Sequence, residues 1–217
     1  MSDDFPLSPA EGSVQDTVRD EFPGLRLRWI TATAALSPSP RALVARLRDL
    51  SSRYRGASVV AMRTKPVPQA YRAFFRQIGL DPDVRRIPSE GAALERLLHG
   101  GFRSVDLITD ACLIALIETG VPVWGLDADH VDVGGLGIRT ASEHDRQRLE
   151  ALGVYPEPGM LVVADANTVY GLLFGELDRA HRVTGKTERV ALFAVAVDGV
   201  PDIHVEEALW MCAELLK

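Results

Sequence analysis

Asp106 and Asp110 stand four residues apart in "VDLITDACLIALIETG", directly ahead of an unbroken apolar run from Ala111 to Ile117. At that spacing two carboxylates share one face of a helix. On a helix that is otherwise apolar they need partners, because an unpaired buried charge is costly. Arg72, Arg76, Arg85 and Arg86 are the obvious cations, which predicts an Asp–Arg network tying helices together; the other reading puts the carboxylates to work in a cleft. "DADHVDVGG" gathers Asp127, Asp129 and Asp132, but Val131 and Asp132 occupy the fifth and sixth positions, where a calcium loop needs a ligand and a glycine. It reads as a solvated turn. His99, His130, His144, His181 and His204 show no metal-ligand spacing with one another or with Cys112 and Cys212, so no metal and no cofactor is expected. Phosphate-loop, nucleophile-elbow and H-E-x-x-H motifs are missing. "GGLG" at 134–137 precedes a strand rather than a helix, so it reads as a tight turn and not a dinucleotide cradle.

The elements that must position these residues follow from periodicity. "LRLRWITAT" (25–33) alternates as a half-buried strand does, and Arg41 to Tyr54 has helical spacing through Leu43, Leu47 and Leu50. "ASVVAM" (57–62) reads as a short buried strand. Helices are predicted over Gln69–Ile78, Pro88–His99 and Val105–Thr119, stopped by Gly79, Gly100 and Gly120. The third, apolar on nearly every side at its centre, should be buried all round. It is far short of the roughly 18 apolar residues that a membrane span needs. Four Val- and Leu-rich runs then read as strands: "GLGIRTA", "GMLVVAD", "TVYGLLFG" and "RVALFAVAVDG". A terminal helix, "DIHVEEALWMCAELL", offers Ile203, Ala208, Leu209, Cys212 and Leu216 for one face. Helices leading and strands following predict α+β, with helices packed on a mostly antiparallel sheet. Residues 1–24, acidic and rich in turn formers, read as an N-terminal arm, and 25–217 as a single domain.

At 217 residues the chain suffices for one sizeable core. Its start has neither a basic nor an apolar stretch, so no signal peptide is expected, and two unpaired cysteines suit a reducing, cytoplasmic setting. The net charge of −6 opposes whole-surface attraction to nucleic acid. Its distribution differs: 13 Lys/Arg face 5 Asp/Glu between Arg41 and Arg103, against 11 and 25 elsewhere. That asymmetry suits a face for an anionic partner, or arginines paired with acids elsewhere in the fold.

Three stretches in order carry a family likeness: "YRAFFRQIGLDPDVRRIPSEGAALERLL", "VDLITDACLIALIETGVPVWGLDAD…GGLGIRTA" and "LVVADANTVYGLLFGELDRAHRVTGKTERVALFAVAV". From about Tyr71 to Val197 the chain resembles the B3/B4 module of the bacterial phenylalanyl-tRNA synthetase beta subunit, and especially free-standing relatives of that module. The resemblance implies an α+β fold whose cleft admits an aminoacyl-adenosine end, and, in the synthetase, editing of wrongly attached tyrosine. It matches the family's pocket glutamate to Glu176 in "LFGELD" and a threonine to Thr187 in "GKTERVALF". It puts Asp110 where the family has Asn, and Trp124 in "VPVWGLD" where the family has His. Trp124 is then a stacking platform or core.

Three functions are expected to compete. The first is an RNA-binding domain recognising tRNA or an aminoacyl-tRNA end, through Trp124, Asp110 and Thr187, with Arg72, Arg76, Arg85 and Arg86 on phosphates. The second is a deacylase acting on mischarged tRNA with Glu176 as its catalytic carboxylate. An activated ester needs only a positioned water and stabilisation of the oxyanion. The third is a binder of free amino acid without RNA. The chain lacks the ATP-binding elements that aminoacylation requires, and no membrane partner is expected.

Overall fold

Val190 to Val197 form an unbroken apolar run in which every residue is buried. A continuous rather than alternating run suits a strand covered on both faces, and in the computed structural model this strand is the centre of the molecule. The structure describes residues 8–54, 56–151 and 159–217. The chain runs β1 (Ala10–Glu11), β2 (Ser13–Val14), α1 (Asp16–Glu21), β3 (Arg26–Thr33), α2 (Arg41–Arg53), α3 (Gly56–Met62), α4 (Pro66–Gln77), α5 (Pro88–His99) and α6 (Leu107–Thr119). It continues with β4 (Val123–Asp127), β5 (Gly137–Thr140), α7 (Glu143–Ala151), β6 (Leu161–Ala164), β7 (Val169–Leu172), β8 (Arg189–Ala196) and α8 (Asp202–Leu215).

The fold is α+β, with two four-stranded sheets where the sequence predicted one. The first has the order β1-β3-β8-β4 and is antiparallel throughout. The second has the order β2-β5-β6-β7, parallel only between β2 and β5. α6 and α8 pack against the first sheet and each other, with α2 outside α6. Across the sheet, the α4 hydroxyl of Tyr71 donates to the Val195 carbonyl at 2.7 Å.

Residues 10–21, expected in a loose arm, belong to this architecture. β1 pairs with β3 and β2 with β5, so the lead-in joins the two sheets. The crossing point is Gly12, where a Cβ would lie 2.6 Å from the Leu136 carbonyl oxygen. Val14 and Val18 are buried behind it. The stretch read as a strand over 57–62 is instead the helix α3; short apolar runs do not distinguish the two by pattern. α4 begins at Pro66, earlier than the predicted Gln69, with proline in its first turn. α5 spans Pro88–His99 as predicted, and Gly100 and Gly120 end α5 and α6 in the left-handed conformation. α6 starts at Leu107 behind an Asp106 cap rather than at Val105, which is exposed, and its Cys112, Leu113 and Leu116 are only half-buried. On α8 the predicted Ile203 is exposed, and Val205 takes its place in the core. No helix among the described residues is long and apolar enough to cross a membrane.

Candidate functional site

Trp124 lies on β4, an edge strand, directly opposite Phe193 of β8. Half-buried, its indole stacks on the Phe193 ring at 5.4 Å with 17° between planes. The Phe174 ring meets it edge-on at 5.6 Å, a favoured aromatic geometry. Phe174 has φ of 55°, a left-handed backbone that a bulky residue adopts only when its surroundings hold it there. What holds it is aromatic: Phe174 also contacts Tyr71, Phe74 and Phe75 of α4 at 5.3 to 5.9 Å. The next residue must be small, since a Cβ on Gly175 would stand 2.7 Å from the Leu172 Cβ.

That pinned turn delivers Glu176 to the surface. Its side chain is 76% exposed, and Arg182 Nη2 donates to Oε2 at 2.6 Å. Arg182 is fixed in turn, donating through Nε to the Leu177 carbonyl at 2.8 Å and bridging Leu126 of β4. The segment from Phe174 to Val183 therefore covers the outer edge of β4. It includes a second pair, in which His181 Nδ1 lies 2.8 Å from Asp178 Oδ2 and the imidazole packs edge-on against Tyr170.

Thr187 is buried and closes a turn. Its hydroxyl donates to Asp127 Oδ2 at 2.6 Å and accepts from the Thr184 N–H at 2.9 Å. Asp127, at the end of β4, also accepts from the Asp129 N–H and pairs with His130. Burial raises the Asp127 pKa, but hydrogen bonds from Thr187, the Asp129 N–H and His130 outweigh it and hold the carboxyl below its ordinary range. The aspartates of "DADHVD" thus organise a turn. Among the described residues no group of three or more His, Cys, Asp or Glu side chains is arranged to hold a metal ion.

Asp110 is fully buried, but its partners are not the arginines expected. Ser39 and Ser104 hydroxyls donate to Oδ2 and the Val105 N–H donates to Oδ1. Asp106 faces the other way and caps α6, accepting from the Thr109 N–H at 2.8 Å. Arg72 is consumed elsewhere: Nη1 donates to both Glu90 oxygens at 2.9 Å and Nη2 to Asp83 at 2.8 Å. It locks α4 to α5 and is closed to a phosphate. Arg76, Arg85 and Arg86 are exposed and make no ion pair among the described residues. Arg85 Nη2 sits 3.0 Å from where a Cβ on Gly175 would stand, which brings this cation to the back of the Glu176 turn.

The structure therefore joins Trp124 to the Glu176 turn through Phe174, with Arg85 beside that turn. Thr187 supports the strand that carries Trp124, and Asp110 is part of the core. Phe174 was missed in the sequence; only the small residue after it in "FGE" hinted at a pinned turn.

Residues 70–209 match the family model described as the B3/4 domain. Among curated proteins, the phenylalanine–tRNA ligase beta subunit of Gloeobacter violaceus is 33% identical over 110 residues, 48% of this chain and 13% of that protein. The phenylalanine–tRNA ligase beta subunit of Tropheryma whipplei is 32% identical over 145 residues, 64% of this chain and 14% of that protein. The matched stretch is thus a small part of each relative.

Proposed function

Because this chain belongs to the B3/4 domain family, we propose that it binds tRNA and recognises the aminoacylated end. The observation that carries the proposal is the junction of a half-buried aromatic wall, Trp124 against Phe174, with a charged rim, Glu176 held by Arg182. A wall of that kind suits stacking of a nucleobase or an aromatic aminoacyl group. The Glu176 carboxylate suits the ammonium of an aminoacyl ester, and Arg76, Arg85 and Arg86 supply charge for the phosphates.

Hydrolysis of the ester is the second reading, and the observation that favours it is the Asp178–His181 pair beside the Glu176 turn. A histidine oriented through Nδ1 by a carboxylate is a suitable general base for a water. It would serve where Trp124 stands in place of the family's His.

The deciding experiment is release of label from tRNAs charged with a panel of amino acids, using the native chain, Glu176→Ala and His181→Ala. Recognition without catalysis predicts no protein-dependent release and retention of charged tRNA on a filter, weakened by Glu176→Ala. Release that His181→Ala abolishes would replace binding alone with hydrolysis. Neither release nor retention would remove both readings.

A further inference from the structure

The C-terminal end of α4 faces α1 and the second sheet across a cavity of about 250 Å³, apart from the Trp124 surface. Its lining is mixed, and Phe22, Ile78, Leu80 and Leu172 are among the apolar side chains on it. Glu21, Gln77 and Arg85 also line it, and none of their side chains has a hydrogen-bond or ion-pair partner among the described residues. An acid and a base on one cavity, each unpaired, beside these apolar side chains, are complementary to a molecule that carries both charges and an apolar tail.

We propose that this cavity binds a free α-amino acid with an apolar side chain, its carboxylate on Arg85 and its ammonium on Glu21. The guanidinium fork suits a carboxylate better than any other side chain does. The ammonium gains as well from the carbonyl end of α4, which carries partial negative charge. Size agrees, because pockets for drug-sized ligands run from roughly 300 Å³ upward and this one is smaller. The chemistry excludes an aminoacyl ester, which has no free carboxylate to offer Arg85. The site therefore separates the free amino acid from the charged tRNA end; it shares Arg85 with the phosphate face proposed above, but its test uses no tRNA and so fails or succeeds apart from that function. It also touches that site from behind: the Leu172–Leu173 wall leads into Phe174, and Arg85 lies against Gly175.

Calorimetric titration of the full chain with L-leucine, L-methionine and L-phenylalanine tests the proposal, with L-leucinamide and N-acetyl-L-leucine as controls. At least one free amino acid is expected to bind with a Kd of about 1 mM or tighter. Leucinamide, lacking the carboxylate, and the Arg85→Ala variant should each weaken binding by about tenfold or more. Glu21→Gln should weaken leucine but leave N-acetyl-leucine unaffected, since that ligand has no ammonium. Glu21 and Arg85 are both exposed, so the variants retain the native circular dichroism. No heat from any of the three amino acids up to about 10 mM, or equal affinity for leucine and leucinamide, or unchanged affinity in both variants, would overturn it.

Discussion

Asp110 and Glu176 are the two carboxylates that the family resemblance matched to the cleft, and the fold treats them in opposite ways. Asp110 is sealed in the core with two hydroxyls and an N–H donating to it. Glu176 stands in water with one arginine beside it. A carboxylate wrapped by donors is a structural tie whose removal strands those donors. An exposed one contributes little to stability and is available to a ligand. Asp145 belongs with the first kind, accepting from Arg139, the Ser142 hydroxyl and the Ser142 N–H.

The contrast is broken or sharpened by substitutions at each. Asp110→Ala strands Ser39, Ser104 and the Val105 N–H in the core and is expected to cost about 3 kcal/mol or more in urea unfolding. Arg72→Ala leaves the buried Glu90 without its main partner and is expected to cost about 3 kcal/mol. Either variant unfolding with the native midpoint would contradict the assignment of these groups to the core.

Asp145 gives the intermediate effect, read by pH. Burial raises its pKa, but Arg139 and Ser142 outweigh that and bring it down to about 2 from an ordinary 3.8. A carboxyl depressed in the folded state adds stability that is complete above its ordinary pKa and is lost as pH falls through the folded value. The native chain should therefore lose about 2 kcal/mol between roughly pH 5 and pH 2. Asp145→Asn should lack that contribution at neutral pH and show a correspondingly shallower decline over the window.

Glu176→Ala is expected to shift stability by less than about 0.5 kcal/mol, because a surface ion pair contributes little. Its effect should fall on discrimination between charged and uncharged tRNA. Arg76→Ala should also unfold like the native chain, while lowering the slope of log affinity against log salt by roughly 0.7 to 0.9. An unchanged slope would take Arg76 out of the phosphate face.

Local signals carried far in this sequence. Pro88 and Gly100 mark the ends of α5, and Gly120 the end of α6, because a proline at a first turn and a glycine at a left-handed cap act within a few residues. The strand reading of 57–62 failed because the run is too short for its period to separate helix from strand. The arm reading of residues 10–21 failed because two-residue strands leave no pattern; their place comes from pairing with β3 and β5, far along the chain.

The site divides the same way. Arg72 and Asp110 looked complementary by charge, yet Glu90 and Asp83 claim the arginine while Ser39, 71 residues away, claims the aspartate. Hydroxyls give no sequence hint of such a choice. Trp124 and Glu176 were singled out by resemblance, but Phe174, which joins them through a left-handed turn, is recognisable only once α4 is in place to receive its ring.

The most direct test of the central claim is filter retention of one tRNA, charged and uncharged, measured across a range of salt. Recognition of the aminoacylated end predicts that the charged form is held about tenfold more tightly. That preference should disappear in Glu176→Ala while both affinities fall linearly on a log–log plot with salt. Equal retention of the two forms by the native chain, or none at low salt, would contradict it.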